Sequence, residues 1–308
     1  MNNGTVLVTG AAGFAGSHLL EHLNGSDTVV GWSRAEPPSE FAHAARWQQV
    51  DILDRGQVYD ALRGLRPRAI FHLAGLPHVA ESWSNSTASL AVNVLGTHRI
   101  IDALERLDYP CRILVTGSAQ VYAPSSTPIG EEDAIAPTSP YALSKLAQEQ
   151  LALRAASNIE VIVTRSFNHT GPRQKPAFLA PSVARQIALI ERGSLAPVIK
   201  VGNLDPTRDI VDVRDTVRAY ALLMKSGSPG TIYNVASGVG TPVRTIVEAL
   251  VARARVPIRL EQDPARLRPN DVNVLVGDPR RLNAATGWTP EISLEQTLDD
   301  LLNYWRLS

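Results

Sequence analysis

Residues 5–16 read Thr-Val-Leu-Val-Thr-Gly-Ala-Ala-Gly-Phe-Ala-Gly. An apolar run that breaks into three glycines and passes at once into an amphipathic stretch, residues 14–24, suits few arrangements. It reads as a buried strand, a tight loop and a helix. Glycines at 10, 13 and 16 permit a sharp turn, close approach of a pyrophosphate and close packing of helix on strand. The free N–H groups and dipole of a helix start favour an anion at that point. Alone, such a trio is as consistent with a structural turn. Between a strand and a helix, at the head of an alternating chain, it points to a dinucleotide. Gly10, Gly13, Phe14, Ala15 and Gly16 are then the residues nearest the phosphates.

The alternation continues. Residues 28–32, 46–50, 69–73, 112–116 and 159–165 are predicted strands. Residues 55–65, 84–107 and 141–156 are predicted helices. Strands separated by helices of this length argue for βαβ units, and so for an α/β, Rossmann-type doubly wound parallel sheet. Past residue 167 prolines at 172, 176, 181, 197 and 206 interrupt the rhythm and suggest loops around a pocket. A helix over 211–224, a strand over 231–235 and helices over 246–255 and 294–305 complete the reading. The expected division is a dinucleotide-binding domain of residues 1–166 and 211–237. A smaller C-terminal α/β substrate domain takes 167–210 and 238–308.

Thirty basic residues balance thirty acidic ones, which leaves no bulk electrostatic reason to expect nucleic acid or an anionic membrane. No apolar run reaches transmembrane length. The N-terminus lacks the basic and apolar regions of a signal peptide, and a cytoplasmic protein is expected. Cys111 is the sole cysteine, so neither an intrachain disulfide nor a thiolate cluster forms; it reads as a small buried hydrophobe. His18 and His22 stand four apart, but in HLLEH rather than HExxH, and read as packing or surface histidines. No metal site is expected.

The second predicted strand ends Gly31-Trp-Ser-Arg34, without the carboxylate that would hold the ribose hydroxyls of NAD. Arg34 suits the 2′-phosphate of NADP, with Ser33 beside it; otherwise it is a solvated loop residue. NADP(H) is favoured and NAD(H) is the alternative.

The glycine loop is followed in order by Phe71-His-Leu-Ala-Gly75, Asn93-Val-Leu-Gly-Thr97, Thr116-Gly-Ser-Ala-Gln-Val-Tyr122 and Tyr141-x-x-x-Lys145. With these motifs the chain resembles the extended short-chain dehydrogenase/reductase family over essentially its whole length. The resemblance adds Asp51, Ile52, Leu73, Ala74, Gly75 and Asn93 to the cofactor cradle and makes Ser118, Tyr141 and Lys145 catalytic. It also implies a homodimer through the helices of residues 84–107 and 141–156.

At i, i+4 the tyrosine and lysine share a helix face. Ketone reduction needs a proton delivered to the developing alkoxide, and a tyrosine of pKa ~10 is a poor acid–base group at neutral pH. Bringing it near neutrality requires ~4 kcal/mol, about what one ammonium ~4 Å away supplies at an effective dielectric of ~20. Lys145 is expected to provide that charge and, by the resemblance, to hold the nicotinamide ribose. Ser118 would orient the substrate oxygen.

Phe167-Asn-His-Thr-Gly-Pro-Arg173, Lys200-Val-Gly-Asn-Leu-Asp-Pro-Thr-Arg-Asp209 and Arg266-Leu-Arg-Pro-Asn-Asp-Val272 resemble motifs of GDP-mannose 4,6-dehydratases and GDP-4-keto-6-deoxy-D-mannose reductases. Carried over, Asn168, Asn203, Arg208, Arg268 and Asp271 line the site of the nucleotide sugar. Alternatively, the arginines form local ion pairs with Asp209 and Asp271. The dehydratases place a glutamate where Gln120 stands, and an uncharged amide cannot carry the proton of an elimination. The expected reaction is NADPH-dependent reduction at C4 of a GDP-linked 4-keto-6-deoxy sugar, with Gln120 among the substrate contacts. A nucleotide-sugar 4-epimerase with retained NAD and a GDP-mannose 4,6-dehydratase are the alternatives. A non-catalytic dinucleotide sensor would need the glycine loop but not Ser118, Tyr141 and Lys145.

Overall fold

A computed structural model describes residues 4–24, 28–37, 39–264 and 273–308. Seven strands make one parallel sheet: β1 (Val6–Thr9), β2 (Val29–Ser33), β3 (Arg46–Gln49), β4 (Ala69–His72), β5 (Cys111–Thr116), β6 (Ile159–Ser166) and β10 (Thr231–Val235). Their spatial order is β10-β6-β5-β4-β1-β2-β3. The order reverses between β1 and β4, which pair with Thr9 opposite His72. Open parallel sheets bind ligands in the crevice at such a switch point, beyond the carboxyl ends of the strands. Every cofactor and catalytic residue expected from the sequence follows one of these strand ends or lies on a helix beside them.

Alternation within the strands builds two apolar layers. Val6 and Val8 pack on one face with Leu19 and Leu20 of α1 (Phe14–Leu23) and Val217 and Leu223 of α8 (Val213–Ser226). Leu7 points the other way, among Leu62 of α2 (Arg55–Leu65) and Ile100 and Leu104 of α5 (Gly96–Leu107). A strand covered on both faces must be apolar throughout, as Val-Leu-Val is.

The sequence predicts one helix over 84–107, and the structure divides it. Helix α3 (Val79–Ser84) stops at Asn85, whose side chain accepts from the Ala88 amide at 3.1 Å and so caps α4 (Ser86–Leu90). A π-turn, Ala91–Leu95, then joins α4 to α5. The catalytic candidates ride on α6 (Pro140–Ala152), which Ser139 caps through the Ala142 amide at 3.1 Å, with Pro140 at the first helical position.

The proline-rich region is more regular than the sequence suggests. A 13-residue helix, α7 (Leu179–Glu191), lies within it; Pro181 falls in its first turn, where no intrahelical N–H is needed. The helix expected over 211–224 begins later, because Val211 and Asp212 finish β9 (Thr207–Asp212) and Asp212 caps α8. Strand β9 pairs with β7 (Asn168–Thr170), β11 (Gly240–Pro242) and β13 (Val274–Leu275), while β8 (Val198–Val201) pairs with β12 (Arg259–Gln262). A second core joins α7, α9 (Val243–Ala252) and α11 (Leu294–Leu307) through Ile187, Val247, Leu250, Leu298 and Leu301. Within the stretch 238–308 that the sequence reading gives to the second lobe, Leu282 of α10 (Arg280–Thr286) and Trp288 pack instead into the first core.

Helix α6 is bolted to the sheet by a buried ion pair. The Arg165 guanidinium on β6 donates to Glu149 at 2.9 and 2.6 Å, with the two side chains 2% and 0% exposed. It donates also to the Glu131 carbonyl at 3.0 Å and lies over the Tyr122 ring. Removing one partner of such a pair strands a buried charge, typically at a cost of about 3–5 kcal/mol, whereas replacing both by apolar groups is much milder. Glu149→Leu is therefore expected to lower the urea unfolding midpoint sharply, and Arg165→Met combined with Glu149→Leu to restore much of the loss. Equal midpoints for Glu149→Leu and the wild type would show that the pair does not hold the helix.

Candidate active site

Gly10 closes the turn after β1 with φ +66, a left-handed conformation, and a Cβ there would meet the Ala74 backbone at 2.7 Å. Gly16 lies so close under the loop that a Cβ would come within 2.2 Å of the Gly10 carbonyl oxygen. Gly13 occupies the N-cap of α1 in extended conformation, without a side-chain cap, and the first turn carries no acidic residue. The amides at the start of α1, on Phe14, Ala15 and Gly16, thus open the helix with its positive end facing the crevice. These features fit a dinucleotide pyrophosphate.

Around this loop the strand ends supply the remaining expected contacts. The Leu73 and Ala74 amides hydrogen-bond Thr9, to its carbonyl at 3.3 Å and its hydroxyl at 3.2 Å. Ser33 ends β2 and Arg34 follows it; the Ser33 hydroxyl donates to the Ala35 carbonyl, and the Arg34 carbonyl accepts from Gln49 Nε2 at 3.0 Å. These bonds shape the loop and leave the Arg34 side chain exposed at the rim. Asp51 turns its carboxylate to the Leu53 amide at 2.9 Å, and Ile52 packs against Gly96. These two residues build the wall after β3.

Asn93 stands apart from the rest of the cradle. It is fully buried in the π-turn, accepts from the Leu76 amide at 2.9 Å and donates to Ser144 Oγ at 2.9 Å. Ser144 in turn donates to the Tyr141 carbonyl at 2.7 Å. Asn93 therefore fastens the Gly75–Leu76 loop to the helix of Tyr141 and Lys145, with its oxygen 2.9 Å from where a Gly75 Cβ would sit. Its side-chain partners here are protein groups.

Tyr141, Lys145 and Ser118 come together under the crevice, 7%, 5% and 7% exposed respectively. Burial raises the Tyr141 pKa above the ordinary tyrosine range, and a hydrogen bond with Ser118 opposes it. Ser118 also accepts from the Gln120 amide at 3.2 Å, in the short turn after β5. Lys145 Nζ donates to the Thr116 carbonyl at 2.8 Å and to Gln148 Oε1 at 2.9 Å, and burial lowers its pKa to about 8. The sequence leads to the expectation that the ammonium lowers the tyrosine; in the cofactor-free site burial acts in the opposite direction on the phenol. Desolvation governs both groups, and it keeps the phenol protonated.

Of the candidate substrate residues, Asn168 belongs to β7, Asn203 to the loop before β9 and Arg208 to β9. Asn168 is exposed on β7, and Arg208 lies on β9 two positions before Ile210, the partner of Asn168. Arg208 donates to the Thr207 carbonyl at 3.0 Å. Neighbouring Asp209 is buried and accepts from the Ser237 amide and hydroxyl and the Gly238 and Gly277 amides, so it serves the backbone of three strand ends. Asn203 Oδ1 accepts from the Asp205 amide at 3.1 Å and shapes the loop before β9. Gln120 is half-buried beside Ser118. Arg268 and Asp271 lie outside the described residues.

Two contacts join the second lobe to α1, the helix that follows the glycine loop, and sequence reasoning missed both. The His169 ring stacks on Phe14 at 5.8 Å. Arg173, in a left-handed conformation, donates to Glu21 at 2.5 and 2.7 Å and to His18 Nδ1 at 2.7 Å, while His18 Nε2 bonds the Pro172 carbonyl at 3.0 Å. Burial lowers the His18 pKa to about 4, so it is a neutral packing histidine, as its sequence context suggests. The HLLEH spacing was the visible signal, but its partner lies 155 positions away. Among the described residues no cluster of side chains could hold a metal ion.

Comparison with known proteins agrees with this arrangement. The family model described as GDP-mannose 4,6 dehydratase matches residues 7–301. A GDP-6-deoxy-D-mannose reductase of Pseudomonas aeruginosa is 37% identical over 305 residues, covering 97% of this chain and 96% of that protein. The structure of RMD from Pseudomonas aeruginosa complexed with NADPH superposes with a TM-score of 0.87 at 35% identity, over 99% of both chains. MoeE5 in complex with UDP-glucuronic acid and NAD gives a TM-score of 0.86 at 30% identity, again over 99% of both chains. With the glycine loop, the Tyr-x-x-x-Lys helix and the doubly wound sheet all in place, the chain belongs to the GDP-mannose 4,6 dehydratase family of NAD(P)-dependent nucleotide-sugar enzymes, within the extended short-chain dehydrogenases/reductases.

Proposed function

We propose that this protein reduces the C4 ketone of a GDP-linked 4-keto-6-deoxy sugar, using NADPH in preference to NADH. The observation that carries the reading is the buried Ser118–Tyr141 pair with Gln120, not a carboxylate, beside it. Bound NADPH supplies the hydride. Ser118 holds the substrate oxygen, and Tyr141 donates the proton that converts the developing alkoxide to an alcohol. A phenol whose pKa burial has raised is already in the protonated form that reduction consumes. Lys145, charged below about pH 8, stabilises the phenolate left behind and holds the nicotinamide ribose. An elimination would need a carboxylate to move a proton on the sugar carbon, and Gln120 cannot supply it. The similarity to the Pseudomonas aeruginosa reductase supports this reading over dehydratase or epimerase activity.

The first lobe is assigned to the cofactor. Asn168, Asn203, Arg208, Arg268 and Asp271 of the second are assigned to the nucleotide sugar, as amides and charges suited to a diphosphate and a base. We also infer a homodimer. Leu90, Leu95 and Leu143 are 41%, 48% and 53% exposed, and Trp83 60%, on α3, α4, the π-turn and the outward face of α6. An apolar set of this size on adjacent helices suits a self-complementary interface. A cytoplasmic location is part of this proposal; no described helix is long and apolar enough to cross a membrane.

Supplied with NADPH and a GDP-4-keto-6-deoxyhexose, the wild type is expected to consume cofactor, and Tyr141→Phe to lose turnover while keeping NADPH affinity. Production of a 4-keto-6-deoxy sugar from GDP-mannose by the wild type would instead make it a dehydratase. Arg34→Ala should weaken NADPH by roughly ten- to a hundredfold, the worth of a charge-assisted phosphate contact, and spare NADH; fluorescence titration that finds both equally weakened removes Arg34 from phosphate recognition. Sedimentation of the wild type is expected to show a dimer and that of Leu95→Asp combined with Leu143→Asp a monomer. A monomeric wild type would dismiss the interface.

A further inference from the structure

Behind Lys145 runs a chain of buried polar groups that the proposed chemistry does not use. Ala74 N–H donates to Thr9 Oγ1 at 3.2 Å, and Thr9 Oγ1 lies 2.7 Å from His72 Nδ1. His72 Nε2 lies 2.8 Å from Thr97 Oγ1, which donates to the Asn93 carbonyl at 2.7 Å. Gln148 Nε2 donates to the same Thr97 oxygen at 2.8 Å, and Gln148 Oε1 accepts from Lys145 Nζ at 2.9 Å. Thr9, His72, Thr97 and Gln148 are all 0% exposed. The members come from β1, β4, α5 and α6, which places both ends of the chain in the active crevice.

Counting hydrogens gives this network a single orientation. A carbonyl can only accept, so the one hydroxyl hydrogen of Thr97 goes to Asn93. His72 and Gln148 must then both donate to Thr97 Oγ1. Burial lowers the His72 pKa to about 3, so the ring is neutral; with its hydrogen on Nε2, Nδ1 accepts from the Thr9 hydroxyl. The Gln148 amide is fixed at both ends, since Lys145 can only donate to it. Two of the three ammonium hydrogens are thereby directed, one to Gln148 and one to the Thr116 carbonyl at 2.8 Å. Among the described residues, His72 on β4 is a titratable group that feels the ammonium, and Tyr141 stands one turn before it on the same helix; burial keeps both neutral. Glu149, next in sequence, is bound to Arg165. Helix α5 and strand β5 contribute Thr97 and the Thr116 carbonyl, neither of which titrates.

We propose that Gln148 is a positioning residue of this enzyme, which aims the Lys145 ammonium into the crevice and, through Thr97 and His72, ties its place to Thr9 at the start of the phosphate loop. The proposal rests on the role given to Lys145 above. A buried ammonium needs acceptors, and Gln148 provides the one side-chain acceptor among the two described. It does so with an amide held by Thr97 on α5, which His72 links in turn to Thr9 before the glycine loop, so that lysine and loop are coupled through one network.

Two substitutions test this. Gln148→Met keeps the length and removes both polar ends; Gln148→Glu keeps an acceptor for Lys145, adds a charge and gives up the donor to Thr97. Three readouts follow each variant: NADPH affinity by fluorescence, the alkaline limb of kcat/KM against pH, and the 15Nζ titration of Lys145 in the cofactor-free protein. Gln148→Met is expected to weaken NADPH about tenfold or more and to move the limb and the titration to lower pH. Gln148→Glu is expected to move both to higher pH. A merely structural role would give the two variants the same loss and no opposed shifts. Unchanged profiles, or shifts of one sign, would overturn the proposal. If Gln148→Met does not fold, an upward shift in Gln148→Glu supports it and any other result overturns it. Lys145→Ala separates the two levels. If it retains normal affinity and rate, the role of Lys145 itself is lost; if it is crippled while both Gln148 variants behave as wild type, Gln148 alone is excluded.

Discussion

Keeping an ammonium charged in a buried position is the constraint from which most of the site follows. Lys145 is 5% exposed, and a charge so placed is unfavourable by several kcal/mol unless oriented dipoles replace water. The Thr116 carbonyl and the Gln148 amide do this, and each is held by a different part of the sheet. The carbonyl belongs to the end of β5, whose register against β4 and β6 is set by Leu114 and Val115 in the two apolar layers. The helix carrying Lys145 is fixed by Glu149 to Arg165 on β6. Moving any of these strand ends moves the acceptors of the ammonium, so packing far from the crevice controls electrostatics inside it.

Burial acts differently on the two partners. It disfavours the charged form of each, which lowers the lysine toward neutrality and raises the tyrosine. For a reductase the two directions are compatible. The acid remains loaded, and the cation that stabilises its conjugate base keeps its charge at neutral pH. The same desolvation would hinder an enzyme that needed Tyr141 as a resting base.

Much of this was legible in the chain. The glycine trio, the alternating runs and Tyr141-x-x-x-Lys145 are local patterns, with partners one turn or one loop away, and they point to the sheet, the tight turn after β1 and the helix that carries Tyr141 and Lys145. What escaped was non-local or locally disguised. Helix α7 was hidden by Pro181, a residue that reads as a breaker but sits in a first turn. Gln148 reads as an ordinary polar residue three positions after Lys145, because its other partner, Thr97, is 51 residues away. The Arg173 clasp on Glu21 and His18 spans more than 150 positions. The burial that opposes the expected depression of the tyrosine pKa was not legible either, because spacing states which groups are neighbours and says nothing about how dry they are.

The π-turn at Ala91–Leu95 has a consequence for how this chain tolerates length changes. A π-turn holds one residue more than an α-turn, so it works as a phase shifter, offsetting the helix before it from the helix after it by about 100°. Asn93 uses that offset to reach both Leu76 and Ser144. A chain one residue shorter here would form a more regular helix and would be locally better hydrogen-bonded. It would also rotate the segment bearing Leu90 against the segment bearing Thr97, and the loop at Gly75 would lose its tether to α6. At this point the most regular helix and the working site require different numbers of residues, and the chain has the number that the site requires.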